Sequence, residues 1–364
     1  MSVPTTMKAW TQTESNSLSI TEIPVPKPQA NQVLVKQLCL HVAILTLGLQ
    51  NPTDWKHANF LSLPGVISGC DFSGTVVSLG THLASPLKVG DKVAGCVHGG
   101  WSKEEGSYAE YTIVESDLCF VVPESLKLEE AATFGAGWVT AAQIIVQRQG
   151  KAFPPADTKV SGHPWYIVYG ASTSVGLFAV PLAKILGYRV LAVCSPHSFD
   201  LVKSYGADAV LDYHHHEKAI DDALKITDGG VEYALDTISD GDSLKLVINM
   251  MGKKAKQLNG THPISEEVRK INPGLKIEST ITYTLLGKTF NLTPRESNKW
   301  TITASKEDRE FGAESFKKTP ELIVKYGLKP NPIDIKGGFD NVLKGLDDLK
   351  NGRVSGKKVV IKIA

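Results

Sequence analysis

The sequence predicts an α/β protein in which a doubly wound parallel sheet stands beside a smaller β-rich barrel. Residues 166–193 read as an apolar strand, a turn of small residues, a helix and a second apolar strand. Strands and helices then alternate as far as about residue 258, which is typical of a parallel sheet covered on both faces. Many short strands separated by Gly and Pro turns precede residue 125 and indicate the barrel.

The turn between Gly170 and Gly176 is the strongest functional signal in the chain. Its filling, Ala171 to Val175, consists of small side chains, and a helix starts directly afterwards at about Leu177. Small side chains allow a diphosphate to approach the backbone, and the helix N-terminus offers unpaired N–H groups. The strand and helix context therefore favours a dinucleotide site over an ordinary tight connection.

The second strand of this unit ends in Cys194, Ser195, Pro196, His197 and Ser198. An NAD site usually carries an acidic residue at this strand end, where it binds the ribose hydroxyls. No acidic residue occurs there, so a 2′-phosphate is not repelled and can be bound by Ser195, His197 and Ser198. We therefore expect NADPH as the cofactor. A polar loop that only caps the next helix is the alternative.

Composition excludes several classes of function. The chain has 364 residues, enough for two domains, and a net charge of +1, which favours neither nucleic acid nor an anionic membrane as partner. No signal peptide or membrane-spanning apolar run is evident. Five scattered cysteines fit free thiols in a cytoplasmic protein better than a disulfide framework.

The remaining elements follow from apolar patterns and turn residues. In the first part we expect a hairpin at 7–11 and 18–23, a strand at 33–44, two strands within 63–80, strands within 87–97 and 106–114, and helices at 125–132 and 141–149. In the second part we expect strands at 190–194, 209–212, 232–236 and 254–258, and helices at 199–205, 217–226 and 242–250. The tail, with a helix at 311–327, a strand at 332–335, a helix at 339–352 and a final strand, should return to the first domain.

No metal site is expected. The cysteines lack C-x-x-C spacing, and Cys70–Asp71 stands where a zinc-dependent alcohol dehydrogenase would be expected to have His–Glu. The run His214 to His216 is better explained as a solvated loop, because consecutive residues do not readily converge on one ion. Without a metal, hydrogen-bond donors must polarise a carbonyl. Lys56 is a candidate, with a surface lysine as the alternative, and Thr140 is a candidate for binding the nicotinamide half, with helix capping as the alternative.

Several stretches resemble the zinc-free branch of the medium-chain dehydrogenase/reductase superfamily, and within it the fungal aldehyde and alkenal reductases and trans-acting enoyl reductases. They are NPTDWKH (51–57), YGASTSVG (169–176), CSPHSFDLVKSYGADAVLDY (194–213), GGFD (337–340) and GRVSGKKVV (352–360). The resemblance implies a GroES-like catalytic domain, 1–138 and 306–364, and a Rossmann NADPH-binding domain, 139–305. The cofactor would lie in the cleft between them.

The resemblance also implies which residues contact the cofactor. The diphosphate would lie on the turn, the 2′-phosphate on the loop after the second strand, and the adenine ribose near Tyr213. The positions that carry over are Thr53, Asp54, Lys56, Thr140, Ser172, Thr173, Ser174, Val175, Ser195, His197, Ser198, Tyr213, Leu258, Val354, Ser355 and Lys358. Of these, Lys56 is also the candidate proton donor, with solvent as the alternative.

Two features depart from that group. The stretch QLCLHVAILTLGLQ (37–50) is longer than the group's usual link, and Gly135 and Trp138 replace a Pro and a smaller residue. We expect Trp138 to narrow the substrate channel and favour small or flat substrates.

The expected function is zinc-independent, NADPH-dependent transfer of hydride to α,β-unsaturated carbonyls, aldehydes or quinones. Alternatives are an enoyl reductase that serves a polyketide synthase in trans, and a protein that binds NADPH without turnover. The expected assembly is a monomer or a homodimer.

Overall fold

The computed structural model describes residues 3–42, 54, 57, 62–155, 159–291 and 300–363. Two large sheets organise these residues. One sheet has seven strands and the other has six, and both confirm the predicted fold class.

The first sheet combines strands from both ends of the chain. A separate antiparallel hairpin, β1 (Thr6–Gln12) and β2 (Leu18–Pro24), precedes it. The strands of the seven-stranded sheet are β3 (Gln32–Val42), β4 (Asp71–Leu79), β5 (Lys92–Cys96), β6 (Tyr111–Glu115), β7 (Cys119–Val121), β16 (Ile333–Gly337) and β17 (Lys358–Lys362). The order is β16-β17-β3-β4-β5-β7, with β6 on β3. The tail therefore returns to the first domain, as predicted.

The second sheet is entirely parallel and carries the dinucleotide turn. Its strands are β8 (Trp165–Tyr169), β9 (Arg189–Val193), β10 (Ala209–Leu211), β11 (Tyr233–Asp236), β12 (Gln257–Gly260) and β13 (Lys276–Ser279), in the order β10-β9-β8-β11-β12-β13. The order reverses between β8 and β11. A ligand is expected at such a reversal, beyond the carboxyl ends of the strands.

Helices pack against the parallel sheet, against the sheet of the first domain and between the two. They are α1 (Leu128–Ala131), α2 (Ala136–Ala142), which continues as a π-helical turn over Gln143–Arg148, α3 (Gly176–Ile185), α4 (Phe199–Ser204), α5 (His216–Ile226), α6 (Gly241–Met251), α7 (Glu266–Ile271), α8 (Lys306–Tyr326) and α9 (Val342–Lys350). Two further short strands, β14 (Phe290–Asn291) and β15 (Thr301–Ile302), form a hairpin. Helix α8 contacts both domains, since it packs on β7 and on the 3₁₀ turn Thr282–Leu286.

Two expectations about the elements need correction. Within residues 63–80 the structure has one strand, β4, because residues 62–70 form a loop in which only Ile67 makes a lone bridge to Thr11. Strand β13 and helix α7 were not expected at all. Their segments are short and polar, so their apolar period is weak.

Trp138 does not narrow a substrate channel. Its side chain is fully buried in the core that joins the two domains, where it packs against Phe134 and Phe178. The indole Nε1 donates a hydrogen bond to Thr319 Oγ1 of α8 at 2.8 Å. A large aromatic ring with its one donor satisfied is a stable core element, so Trp138 holds α2 against α8.

No helix among the described residues is long and apolar enough to cross a membrane.

Candidate active site at the carboxyl edge of the parallel sheet

The glycine turn has the geometry of a backbone cradle. Gly170 has a φ of +70°, and a Cβ there would lie 2.2 Å from Thr237 Oγ1. A Cβ on Gly176 would lie 2.4 Å from the carbonyl oxygen of Gly170. Between them, Thr173 accepts a hydrogen bond from the Gly176 amide at 3.0 Å and donates one to Thr237 Oγ1 at 3.0 Å. The turn is therefore fixed tightly against the end of β11.

A cavity that is partly open to solvent lies directly beyond this turn. Five residues predicted from the sequence line it: Ser172, Thr173, Ser195, His197 and Tyr213. The cavity is at the end of β8, β9, β10 and β11, where a dinucleotide is expected. The close approach of backbone at the turn and the polar side chains around the cavity fit the diphosphate and ribose of a nicotinamide dinucleotide.

Two hydrogen bonds connect residues at the far end of the cavity, which is the end beyond β9 and β10. Ser195 Oγ and Tyr213 Oη are 3.2 Å apart, and His197 Nε2 and Ser355 Oγ are 3.1 Å apart. Ser355 belongs to the tail of the first domain, so the His197 contact joins the two domains at this end. Ser198 is buried in the short 3₁₀ turn after Ser195. The strand end contributes hydroxyls and an imidazole and carries no acidic side chain.

Ser174 and Val175 lie in the turn but do not line this cavity. Ser174 instead accepts a hydrogen bond from Asn331 Nδ2, at 3.0 Å to Oγ and 3.1 Å to the carbonyl oxygen. Thr140 is largely buried, and its hydroxyl donates to the Ala136 carbonyl oxygen in its own helix at 2.6 Å. The helix therefore already uses the hydroxyl proton of Thr140.

Three residues that were predicted to contact the cofactor, Leu258, Val354 and Lys358, have buried side chains. Leu258 has no exposed surface and packs inside the parallel sheet, so its side chain does not reach the cavity. Val354 packs in a first-domain core with Trp10 and Tyr108. The structure thus gives both side chains a packing role in place of the expected cofactor contact.

Lys358 also has a different role from the expected one. Its ammonium lies 3.0 Å from Asp71 Oδ2, and each side chain is 2% exposed. The ammonium also donates to the Thr133 carbonyl oxygen at 3.1 Å, while Asp71 Oδ1 accepts the Ala136 amide at 2.7 Å. The pair therefore ties β4 and β17 to the start of α2, inside the first domain.

Asp54 lies in a buried cluster beside this ion pair. It is 1% exposed and accepts a hydrogen bond from Tyr108 Oη at 3.0 Å. Burial is the main cause that raises the pKa of the Cys70 thiol well above its usual range, and the charge of Asp54 raises it further. Thr53 and Lys56, together with most of the stretch 37–50, lie outside the described residues. Their predicted roles stay predictions.

Sequence reasoning missed part of the cavity wall. Ile238 and Asp240, in the loop after β11, line the cavity together with Tyr169 and Cys194. The polar run that follows the strand at 232–236 was a usable signal, because ligands bind at the carboxyl ends of parallel strands. Burial raises the pKa of the Cys194 thiol to about 12, so this cysteine is a neutral part of the wall.

Asp236 should make stability depend on pH. Burial raises its pKa to about 7, although Ser243 and the amides of Ile238 and Ser239 donate to the carboxylate. The folded state then binds the proton of Asp236 more tightly than the unfolded state does. The protonated carboxyl therefore contributes to the free energy of unfolding at low pH, and this contribution is lost as pH rises through about 7.

Asp236→Asn should remove that dependence. Between pH 5 and pH 8 the free energy of unfolding should fall by roughly 2–3 kcal/mol more in the wild type than in this variant. Urea titrations at both pH values measure the difference. Asp242→Asn, an exposed carboxylate in α6, is the control and should keep the wild-type dependence. Equal pH dependence in wild type and Asp236→Asn would show that Asp236 does not titrate in this range.

Among the described residues no group of three or more His, Cys, Asp or Glu side chains is placed to hold a metal ion. Cys70 Sγ lies 3.2 Å from Tyr283 Oη, and His214 pairs with Asp212 and stacks on Tyr213.

Two family models match the chain. The alcohol dehydrogenase GroES-like domain matches residues 36–124, and the zinc-binding dehydrogenase model matches residues 174–289. A trans-enoyl reductase of Alternaria alternata is 36% identical over 98% of this chain and 99% of its own length. A trans-enoyl reductase of Aspergillus flavipes is 33% identical over 99% of this chain and 97% of its own length.

The chain belongs to the medium-chain dehydrogenase/reductase family. The resemblance predicted from the sequence is thereby confirmed. Members of this family are oxidoreductases that use a nicotinamide cofactor, and the chain is an enzyme of this kind.

Solved structures agree on the fold. The quinone oxidoreductase from Coxiella burnetii superposes with a TM-score of 0.70 at 22% identity, over 99% of this chain and 100% of that one. The CurK enoyl reductase superposes with a TM-score of 0.75 at 17% identity, over 98% of this chain and 99% of that one. At these identities the likeness concerns the fold alone.

Proposed function

We propose that this enzyme is an NADPH-dependent enoyl reductase that acts on α,β-unsaturated carbonyl compounds, with aldehydes and quinones as further acceptors. One observation supports the proposal most directly. A tight glycine turn opens into a cavity whose far end carries Ser195, His197 and Tyr213. The relatives named trans-enoyl reductases favour a carbon–carbon double bond as the group reduced.

The residues of the chain would hold the cofactor and direct the acceptor. The turn from Gly170 to Gly176 would bind the diphosphate, and Ser195 and His197 the 2′-phosphate. When bound, NADPH would supply a hydride for the β-carbon of the enone or enoyl thioester. The α-carbon, which would receive the electron pair of the double bond, would take a proton from solvent or from Lys56. The product is the saturated carbonyl compound.

A trans-acting role is the second candidate, and the names of the relatives favour it. In that case the enzyme would reduce an enoyl chain tethered to a polyketide synthase rather than a free molecule. A cytoplasmic location, in which the five buried cysteines stay free thiols, fits either role.

The purified chain should oxidise NADPH in the presence of an acceptor. Loss of NADPH absorbance is followed with enals, enones, quinones, aldehydes and an enoyl group on an acyl carrier protein. Turnover with free enals or enones supports the leading proposal, and turnover with only the carrier-bound group supports the trans-acting role. NADPH binding without reduction of any acceptor would contradict both and indicate a protein that binds the cofactor without catalysis.

His197→Ala should weaken NADPH binding selectively. A hydrogen bond to a charged phosphate contributes about 1.5–3 kcal/mol, so the Kd for NADPH should rise by about tenfold or more. The Kd for NADH should stay within about twofold, because NADH lacks the 2′-phosphate. Calorimetric titration measures both constants. His82→Ala, an exposed histidine of the first domain, is the control. An equal loss for both cofactors would remove His197 from phosphate recognition.

A further inference from the structure

A column of aromatic and imidazole rings crosses from one domain to the other. Tyr283 follows β13 of the second domain, and its ring is 3.8 Å from that of His98 at an interplanar angle of 11°. His57 packs on Tyr283 at 5.6 Å and 27°. Trp101 packs on His98 at 5.5 Å and 10°. We call these four residues, three of the first domain and Tyr283 of the second, the ring column.

A further aromatic ring packs against the side of the ring column, and the column is largely buried. Phe290, also of the second domain, meets the His98 ring edge-on at 5.0 Å and 88°. His57, His98 and Tyr283 are 6%, 5% and 8% exposed. Stacked and edge-on rings of this kind contribute beyond the area they bury. The contact is therefore a built interface and not a surface where the two domains merely touch.

The charge state of His98 suits this packing. Burial lowers its pKa well below the usual range, and the charges of His57 and Lys288 lower it further. The imidazole is therefore neutral and can lie among aromatic rings without a partner charge. Close by, Lys288 of the second domain forms an ion pair at 2.5 Å with Glu105 of the first. This ion pair is a further contact between the two domains.

The Tyr283 hydroxyl links the ring column to a buried cysteine of the first domain. Its oxygen is 3.2 Å from Cys70 Sγ, and Cys70 is 1% exposed. Cys70 interacts with Asp54, and the next residue, Asp71, is held by Lys358. One hydroxyl of the second domain thus reaches the start of β4 and the neighbourhood of Asp54.

We propose that Tyr283 is a positioning residue that locks the second domain onto the first. Its ring is held by His98 and His57, and its hydroxyl fixes Cys70 and, through it, Asp54. Because Lys56, the candidate proton donor, lies two residues after Asp54 in the sequence, we expect this lock to affect proton transfer to the acceptor. The kinetic consequence rests on the proposed function, whereas the lock itself does not.

Access of a reagent to Cys70 tests the lock without any assay of activity. The full chain is treated with iodoacetamide, and peptide mass spectrometry follows the labelling of each cysteine. The variants are Tyr283→Phe, which keeps the ring, and Tyr283→Leu, which removes it. Tyr166→Phe is the matched control, since it loses a buried hydroxyl that is bonded to Gln149 at 3.0 Å on the central strand β8. Cys119, which is buried in the first domain, is the internal reference.

We expect Tyr283→Leu to label at Cys70 about tenfold faster or more, with Cys119 and the control unchanged. In Tyr283→Phe, kcat for (E)-2-hexenal should fall by about tenfold while the Kd for NADPH is unchanged. Labelling of Cys70 at the wild-type rate in Tyr283→Leu, or equal acceleration at Cys119, would overturn the lock. If wild type oxidises no NADPH with any acceptor, the proposed function fails and the labelling comparison still decides this proposal.

Discussion

Replacing Lys358 by methionine is expected to lower the free energy of unfolding by about 3–5 kcal/mol. Methionine retains most of the length of the side chain but leaves Asp71 buried without its counter-charge. The two side chains are each 2% exposed, so water cannot solvate the remaining carboxylate without opening the first domain. Urea unfolding of the full chain, followed by far-ultraviolet circular dichroism, measures the loss.

Lys362 on the same strand provides the control. It pairs with Glu129 at 3.0 Å, but its side chain is 51% exposed. Lys362→Met should therefore lower the free energy of unfolding much less than Lys358→Met does, because water solvates both members of this exposed pair. The double variant Asp71→Asn/Lys358→Met should recover part of the loss, because it buries no lone charge. A single Lys358→Met variant as stable as wild type would contradict the structural role given to this lysine.

Replacing Gly176 by alanine is expected to reduce NADPH affinity by at least about tenfold. The added Cβ would lie 2.4 Å from the Gly170 carbonyl oxygen and 2.6 Å from the Ala171 carbonyl oxygen. Both atoms are backbone, so the turn itself must move, and the turn is what presents N–H groups to the diphosphate. Calorimetric titration with NADPH measures the affinity.

Gly241→Ala is the matched control, because a Cβ at Gly241, at the start of α6, meets nothing within 4 Å. It should bind NADPH as wild type does. Thermal unfolding of both variants separates a local change in the turn from a general loss of stability. If Gly176→Ala binds NADPH with the wild-type Kd, the diphosphate does not lie on this turn.

The parallel sheet could be predicted from the sequence because its signals are local. The run 166–193 carries two apolar strands, a helix and a small-residue turn in direct succession, and the structure has β8, α3 and β9 there. The hydroxyls that line the cavity follow for the same reason. Ser172, Ser195 and Tyr213 each come just after a strand of that sheet, so their strands place them at one edge.

The partners of Asp71 and Trp138 could not be predicted, since their contacts are distant in the chain. Asp71 meets Lys358, and Trp138 meets Thr319. Motif spacing does not indicate such pairs, so the sequence alone does not distinguish a buried structural lysine from a cofactor contact, or a core indole from a channel wall. The burial of the Leu258 side chain could not be predicted for a different reason, because position on a strand near the ligand edge does not reveal which face of the sheet a side chain takes.

The ring column could not be predicted from the sequence for a related reason. His98 and Trp101 come from the loop after β5, His57 comes from a distant part of the first domain, and Tyr283 comes from a stretch of the second where no strand was expected. Isolated histidines and aromatic residues carry no pattern in the sequence. Only the packing of the two domains brings them into one stack.

The relative affinity of the wild-type enzyme for NADPH and NADH is the sharpest test of NADPH as the cofactor. Both constants are measured by calorimetry on the same preparation at the same ionic strength. Ser195, His197 and the absence of an acidic residue at the end of β9 predict that NADPH binds more tightly by about tenfold or more. Equal affinities, or tighter binding of NADH, would contradict the assignment of this cavity to the 2′-phosphate.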